Sequence, residues 1–453
     1  MFATIALLVG VSLARATYTN PISILRTVSL RIVPASLYTP AIALDTVHGY
    51  TYIASGNGEH IAVLDTRTGA ALRTLTVGSS GSVTSDVPTV LGPWLAVDPV
   101  TGHLFVLAGS PGSRPQVLQL AMLDAGTGRT LRVLAIPPPT GGWGVGAPPL
   151  VVDAHDGRVF VSRFDIDGLD VLDARTGRVV RSVVIGHVAR YPNQSNRGVV
   201  VVAAAVDERS RRVFVSDDAN GTVATLDATN GRVLRVVPVG PHPGMPLVDA
   251  YSRRVTIPTS DRVDMLDAVT GRLLHAHVQG GEPVVGYGRA VDGPTGRTVT
   301  LGSGGLPLHL RDSTTGRLLQ SVQLPGNHMD VAVDEHSGRI FVLDLGPASQ
   351  RTTAAGLSTQ FTDYGSVAVL NGYTGAISLT FPVGIGYGRI AIDARLRRAV
   401  VVTSGDLLPR DSDLWGWVPS GVRRALPFAA RPSASSYSPT IGMTATFVDI
   451  SRL

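Results

Sequence analysis

One phrase recurs eight times along this chain of 453 residues. An apolar run ends in Asp, a turn follows, and a Val-Phe-Val-like run leads to Leu-Asp-x-x-Thr-Gly-Arg and a last apolar run. The clearest copy is residues 150–186, LVVDAHDGRVFVSRFDIDGLDVLDARTGRVVRSVVIG. The first Asp of each copy falls at Asp45, Asp98, Asp153, Asp207, Asp249, Asp292, Asp334 and Asp393, giving spacings of 53, 55, 54, 42, 43, 42 and 59. A repeat of roughly 40–55 residues holding four short strands specifies a β-propeller blade, a unit that buries its faces only against its neighbours. The expected fold is all-β: a single β-propeller over residues 17–453 with eight four-stranded blades, or seven if one copy forms no full blade.

Each copy reads as strands A to D. In the third copy these are residues 150–152, 158–162, 169–172 and 178–185. The A–B and C–D turns share one chemistry: an Asp, two or three residues, Gly, Arg. The Asp carboxylate accepts backbone amides two residues on, and Gly takes the left-handed conformation that closes a bulged hairpin. The second Asp of the phrase (Asp65, Asp124, Asp173, Asp227, Asp267 and Asp312, with Asn371 in the seventh copy) belongs to the same turn chemistry. These repeated carboxylates therefore read as structural. The eighth copy has A (389–392), B (399–403) and a final run at 444–450, but no D strand after it. Residues 22–32, ISILRTVSLRI, carry the D-strand pattern at the other end of the chain. An N-terminal strand completing the last blade removes sheet edges and closes the ring, which favours eight blades.

The interruptions of the repeat are not scattered. Long D-to-A segments occur at 78–93, 137–149 and 186–198, and long B-to-C segments at 109–116, 346–365 and 404–443. In a propeller these two classes of connection share one face, and an elaborated face is commonly the binding face. Trp143 lies in the second of these insertions, and Trp415 and Trp417 in the insertion at 404–443, making them the candidate partner contacts. A minicore beneath the long loop is the competing role for the latter two.

Composition bounds the partners. The net charge of +5 is spread without a basic run, and every basic residue is Arg. Nucleic-acid binding is therefore unsupported, since phosphate recognition needs clustered positive charge. The absence of Cys excludes disulfides, thiolate nucleophiles and Cys-ligated metals. Residues 1–16, MFATIALLVGVSLARA, are apolar and end in a small-x-small pattern, but carry no basic n-region and are too short to span a bilayer. They read as the remnant of an export signal or membrane anchor, which implies an extracytoplasmic protein.

Candidate ligand-binding residues stand just before the A strands, at the channel mouth: Arg197, His242, Tyr287, Arg289, His328, Tyr387 and Arg389. Two copies are nearly identical, Gly-Tyr-Gly-Arg ending at Arg289 and at Arg389. Convergent guanidinium groups suit an anionic ligand, which they bind bidentately. Bonding around the ring is the competing role. No cofactor is expected. Asp165, Asp167 and Asp170 form a weak calcium candidate whose spacing departs from the helix–loop–helix calcium loop. No nucleophile elbow, phosphate loop or zinc-protease motif is present.

Residues 222–240, TVATLDATNGRVLRVVPVG, and the Pro that follows resemble the YVTN-type propeller repeat of bacterial and archaeal surface and secreted proteins. That resemblance covers nearly all of the chain after Tyr18 and implies extracytoplasmic binding or surface-layer structure. The Leu172–Arg178 phrase also resembles the repeat of eight-bladed quinoprotein dehydrogenases. Their blade-docking Trp is replaced here by Arg181, Arg235 and Gln320, which argues against a bound quinone. The leading expectation is an exported, non-enzymatic propeller that binds protein, glycan or cell surface through its loop-rich face. Two alternatives stand beside it. One is a lyase or lactonase-like hydrolase with a site at the channel mouth; the other is a self-associating surface-layer or appendage subunit.

Overall fold

The computed structural model describes residues 23–30, 40–54, 60–77, 94–109, 118–137, 150–163, 165–166, 168–185, 202–278, 288–302, 306–345, 348–353, 356–361, 365–384, 386–404 and 443–452. They form eight four-stranded antiparallel sheets and one further hairpin, Ala348–Thr353 with Gly356–Phe361. Blades 1 to 7 span residues 41–76, 94–136, 150–184, 202–238, 247–278, 289–322 and 328–382. Blade 8 combines 388–449 with 23–30. The chain is an eight-bladed β-propeller.

Burial explains the repeat's hydrophobic pattern. B and C strands lie in the middle of each sheet and are covered on both faces by adjoining blades, so they read as unbroken apolar runs. Val159, Phe160 and Val161 are at most 1% exposed. The outer D strands are covered less: Val179–Val184 is exposed at every position but one.

The turns follow from the repeated Asp residues. Asp65 accepts the Thr68 amide at 2.7 Å and its hydroxyl at 2.8 Å, and the Gly69 amide returns to the Asp65 carbonyl at 2.8 Å. Gly69 has φ +68°, and a bulge separates Val63 from Leu64. Blades 2, 3, 5 and 6 repeat this arrangement through Thr127, Thr176, Thr270 and Thr315. At the A–B turns the Gly expectation holds in five blades only. Arg211, Arg253 and Arg397 occupy the left-handed position in blades 4, 5 and 8, with φ between 55° and 57°. A left-handed non-glycine residue costs about 1 kcal/mol or more. Two of the three contact the preceding blade: Arg211 holds Asp156, and Arg397 reaches Asp334 at 3.4 Å.

Closure is as expected. Ser23–Leu30 pairs antiparallel with Met443–Asp449, from Ser23 opposite Asp449 to Leu30 opposite Met443. A core of Leu30, Ile53, Ala62, Leu64, Val400, Val402, Met443, Ala445 and Phe447 then joins blade 8 to blade 1.

Candidate functional site

The two ends of the ring differ. Every A–B turn takes four residues and every C–D turn five, so that end is uniform. All long connections lie at the other end, including those spanning 404–442 between the B and C strands of blade 8 and 345–365 in blade 7. The channel mouth at this elaborated end is framed by the first residues of the A strands.

Each described candidate has a setting of its own. His242 sits between blades 4 and 5, largely exposed, with Nδ1 at 3.3 Å from Asp218 Oδ1. Its φ of +50° marks a tight approach of the loop to that carboxylate. Burial pushes the Asp218 carboxyl up, against the attraction of His242. His328 is interior: its side chain is 3% exposed, Nδ1 lies 3.4 Å from Asp344 Oδ2, and neither ring nitrogen makes a hydrogen bond among the described residues. Tyr387 is half-buried and its carbonyl accepts the Ser404 amide. Arg197, Tyr287, Trp143, Trp415, Trp417 and Asp167 lie outside the described residues, as does the 1–16 segment.

The two Gly-Tyr-Gly-Arg copies are not equivalent. Arg389 stands four residues before its strand-end Asp393 and pairs with Val402, whereas Arg289 stands three before Asp292 and pairs with Thr300. Arg389 Nη1 reaches Oδ1 of the buried Asp330 in blade 7 at 3.6 Å, and Asp330 Oδ2 accepts the Ile390 amide at 3.0 Å. Burial drives the Asp330 carboxyl upward, with Arg389 opposing. Gly288 lies against the same residue: a Cβ there would fall 2.9 Å from the Val331 nitrogen. Asp330 therefore ties blade 7 to blade 8, with Gly288 of blade 6 packed against its backbone.

Arg289 has no such partner among the described residues. Its guanidinium leans on Gly244 of the loop entering blade 5, where a Cβ would fall 2.7 Å from Nη2. Nε is buried without an acceptor, and burial alone pushes its pKa down to about 10, so it remains charged at neutral pH.

The calcium candidate contains a cation already. Arg163 donates Nε and Nη2 to Asp165 at 2.8 Å and Nη1 to Asp170 at 2.8 Å, and Ser182 donates to Asp170. Hydrogen bonding to Asp165 holds the Arg163 guanidinium above its ordinary value.

Sequence reasoning missed a second set of residues. The face that blade 4 turns to blade 3 carries Val213, Val215, Ala224, Leu226 and Ala228. At the same register positions blade 6 turns to blade 5 Thr298, Thr300, His309, Arg311 and Ser313, all at most 6% exposed. Apolar packing on the blade 5 side shrinks to Val263 and Met265. The result is a polar seam. Its upper row runs Arg289, Thr300, His309, Ser321 across the four strands, closed at one end by His309 Nδ1 to Ser321 Oγ at 2.9 Å. The lower row places Arg311 opposite Thr298, and Arg311 Nη1 donates to the Gly316 carbonyl at 3.2 Å. Burial pushes Arg311 down to about 10. Hydroxyls of Thr298, Thr300 and Ser313 make no hydrogen bond among the described residues. The available signal was the break in the phrase itself: Arg311 stands where the first five copies and the seventh have Leu.

No protein-family model matches the chain, and no curated protein matches it. Among solved structures it is similar to dihydro-heme d1 dehydrogenase NirN in complex with DHE, at 13% identity and a TM-score of 0.54, over 84% of this chain and 74% of that one. It is also similar to BamB from Moraxella catarrhalis, at 17% identity and a TM-score of 0.48, over 70% of this chain and 83% of that one. Likeness at this level of identity is likeness of the propeller fold alone.

Proposed function

We propose that this chain is an exported, non-enzymatic propeller of the YVTN-like kind that binds a protein partner through its elaborated face. One observation carries the reading: turns of four and five residues recur without exception at one end of the ring, while every long connection emerges at the other. Drift alone has no reason to choose one end. A rigid ring that presents variable connections on a single face is the arrangement by which repeat scaffolds bind macromolecules. Export is supported by the apolar 1–16 segment with its Ala14-Arg15-Ala16 ending. A cell-surface glycan is the competing ligand for the same face.

Affinity capture from envelope fractions tests the proposal with two variants beside the wild type. The first shortens 405–442 to a two-residue turn; the second places Glu at Val47 and Val100, which are exposed on the A–B turns of the uniform end. The expected result is loss of a reproducible protein partner in the first variant and its retention in the second. Retention in the first with loss in the second overturns the proposal.

A further inference from the structure

We propose that the upper end of the blade 5–6 seam is a binding site for a carboxylate group, anchored by Arg289 and Thr300. The inference rests on the elaborated end being the working end, since Gly244, which lies against Arg289, belongs to a connection of that end.

Three observations carry it. Arg289 is a half-buried cation with no anionic partner among the described residues, although its counterpart Arg389 has Asp330. Partial burial of a guanidinium without a partner is unfavourable, so such a site favours an anion. Thr300 stands directly opposite Arg289 in the strand ladder, is 2% exposed, and its hydroxyl has no acceptor or donor among the described residues. Gly244 is the third: a Cβ there would fall 2.7 Å from Nη2, so any larger residue would press on the guanidinium. A planar fork of N–H donors beside one hydroxyl donor matches a carboxylate, which accepts two parallel bonds from the guanidinium and a third from Thr300. Charge favours the same class. One uncompensated positive charge is neutralised by a monoanion, whereas a phosphate dianion would leave a buried negative charge. The carboxylate has two possible sources, a free small acid or an acidic side chain of the protein partner.

Titration calorimetry on the full chain tests this with acetate, inorganic phosphate and a short capped peptide containing one Glu, at constant ionic strength. Acetate is expected to bind saturably with one site per chain. Arg289→Gln should weaken it at least tenfold, the loss expected for a hydrogen-bonded charge pair. Thr300→Val and Gly244→Ala, which keep the charge, should weaken it several-fold and keep the site testable if Arg289→Gln does not fold. Arg317→Gln, on an exposed turn at the uniform end, should leave binding unchanged. Tighter binding of the peptide than of acetate assigns the carboxylate to a protein partner; the reverse assigns it to a free acid. Absence of saturable carboxylate binding, tighter binding of phosphate, or acetate binding that is indifferent to Arg289→Gln overturns the proposal. Carboxylate binding that persists when envelope capture fails separates this site from the partner-binding reading.

Discussion

At the scale of single residues, the carboxylates divide into two populations with opposite responses to acid. Asp65, Asp124, Asp173, Asp267, Asp312 and Asp449 are held below the ordinary carboxylate range. The Thr127 amide is the largest influence on Asp124; at the others burial opposes ionisation but turn hydrogen bonds, from Thr or Ser451, outweigh it. Their stabilisation is present above the ordinary range and is lost as pH falls through their lowered values. Asp153, Asp218, Asp292, Asp330 and Glu335 are raised, in each case chiefly by burial. Their contribution is present below the ordinary range and is lost as pH rises through the raised values. The melting temperature should therefore rise as pH is lowered from neutrality toward about 4, then drop below it, as scanning calorimetry across that range would show. A melting temperature that falls steadily from neutrality contradicts the division. Arg311 yields a second prediction. Arg311→Leu restores the repeat's own residue at a site only 3% exposed, and replacing a buried charge by a well-packed apolar group is commonly stabilising. An increase of about 1–2 kcal/mol is expected by denaturant titration; destabilisation would show that the charge supports the seam.

Among the elements, the interfaces between blades set the ring's mechanical order. The closing contact relies on Phe447, which is fully buried among blade 8 and blade 1 residues and sits where a Cβ on Gly69 would meet it at 2.8 Å. Phe447→Ala should cost about 3–5 kcal/mol and free the Ser23–Leu30 strand for early hydrogen exchange. Uniform exchange across all blades would contradict that order. At the blade 6–7 contact, Gly288→Ala sets a Cβ against backbone of the next blade, so it cannot be relieved by a rotamer change. A loss of about 1–3 kcal/mol is expected in the same denaturant titration. The elements were also where sequence was most legible. Asp-x-x-Thr-Gly turns, continuous B and C runs and the displaced D strand each depend on local chemistry, and each was placed within a residue or two. The left-handed Arg211, Arg253 and Arg397 were not legible, because position in the turn rather than residue type sets that conformation. Identity of phrase misled too. The Gly-Tyr-Gly-Arg copies differ by one residue of register, and in a strand one residue moves a side chain to the other face.

For the whole molecule, the ring and its two unlike ends were readable from period and insertion lengths, while convergence at the channel mouth was not. His328 is interior, Arg389 is engaged by Asp330 and His242 by Asp218, because contacts between blades are set by three-dimensional register that spacing alone does not report. The seam was hidden for the same reason: Thr298, Thr300, His309 and Arg311 fall on one face only once the strand ladder is known. What remains is a ring with one uniform end and one elaborated end. Site-specific photo-crosslinking measures that asymmetry directly, with a benzoylphenylalanine placed at His242 on the elaborated end or at Val100 on the uniform end. Both positions are about two-thirds exposed, so access is matched. In envelope fractions a discrete protein adduct is expected from position 242 and none from position 100. Equal adducts from both positions, or an adduct from position 100 alone, would contradict the assignment of function to the elaborated face.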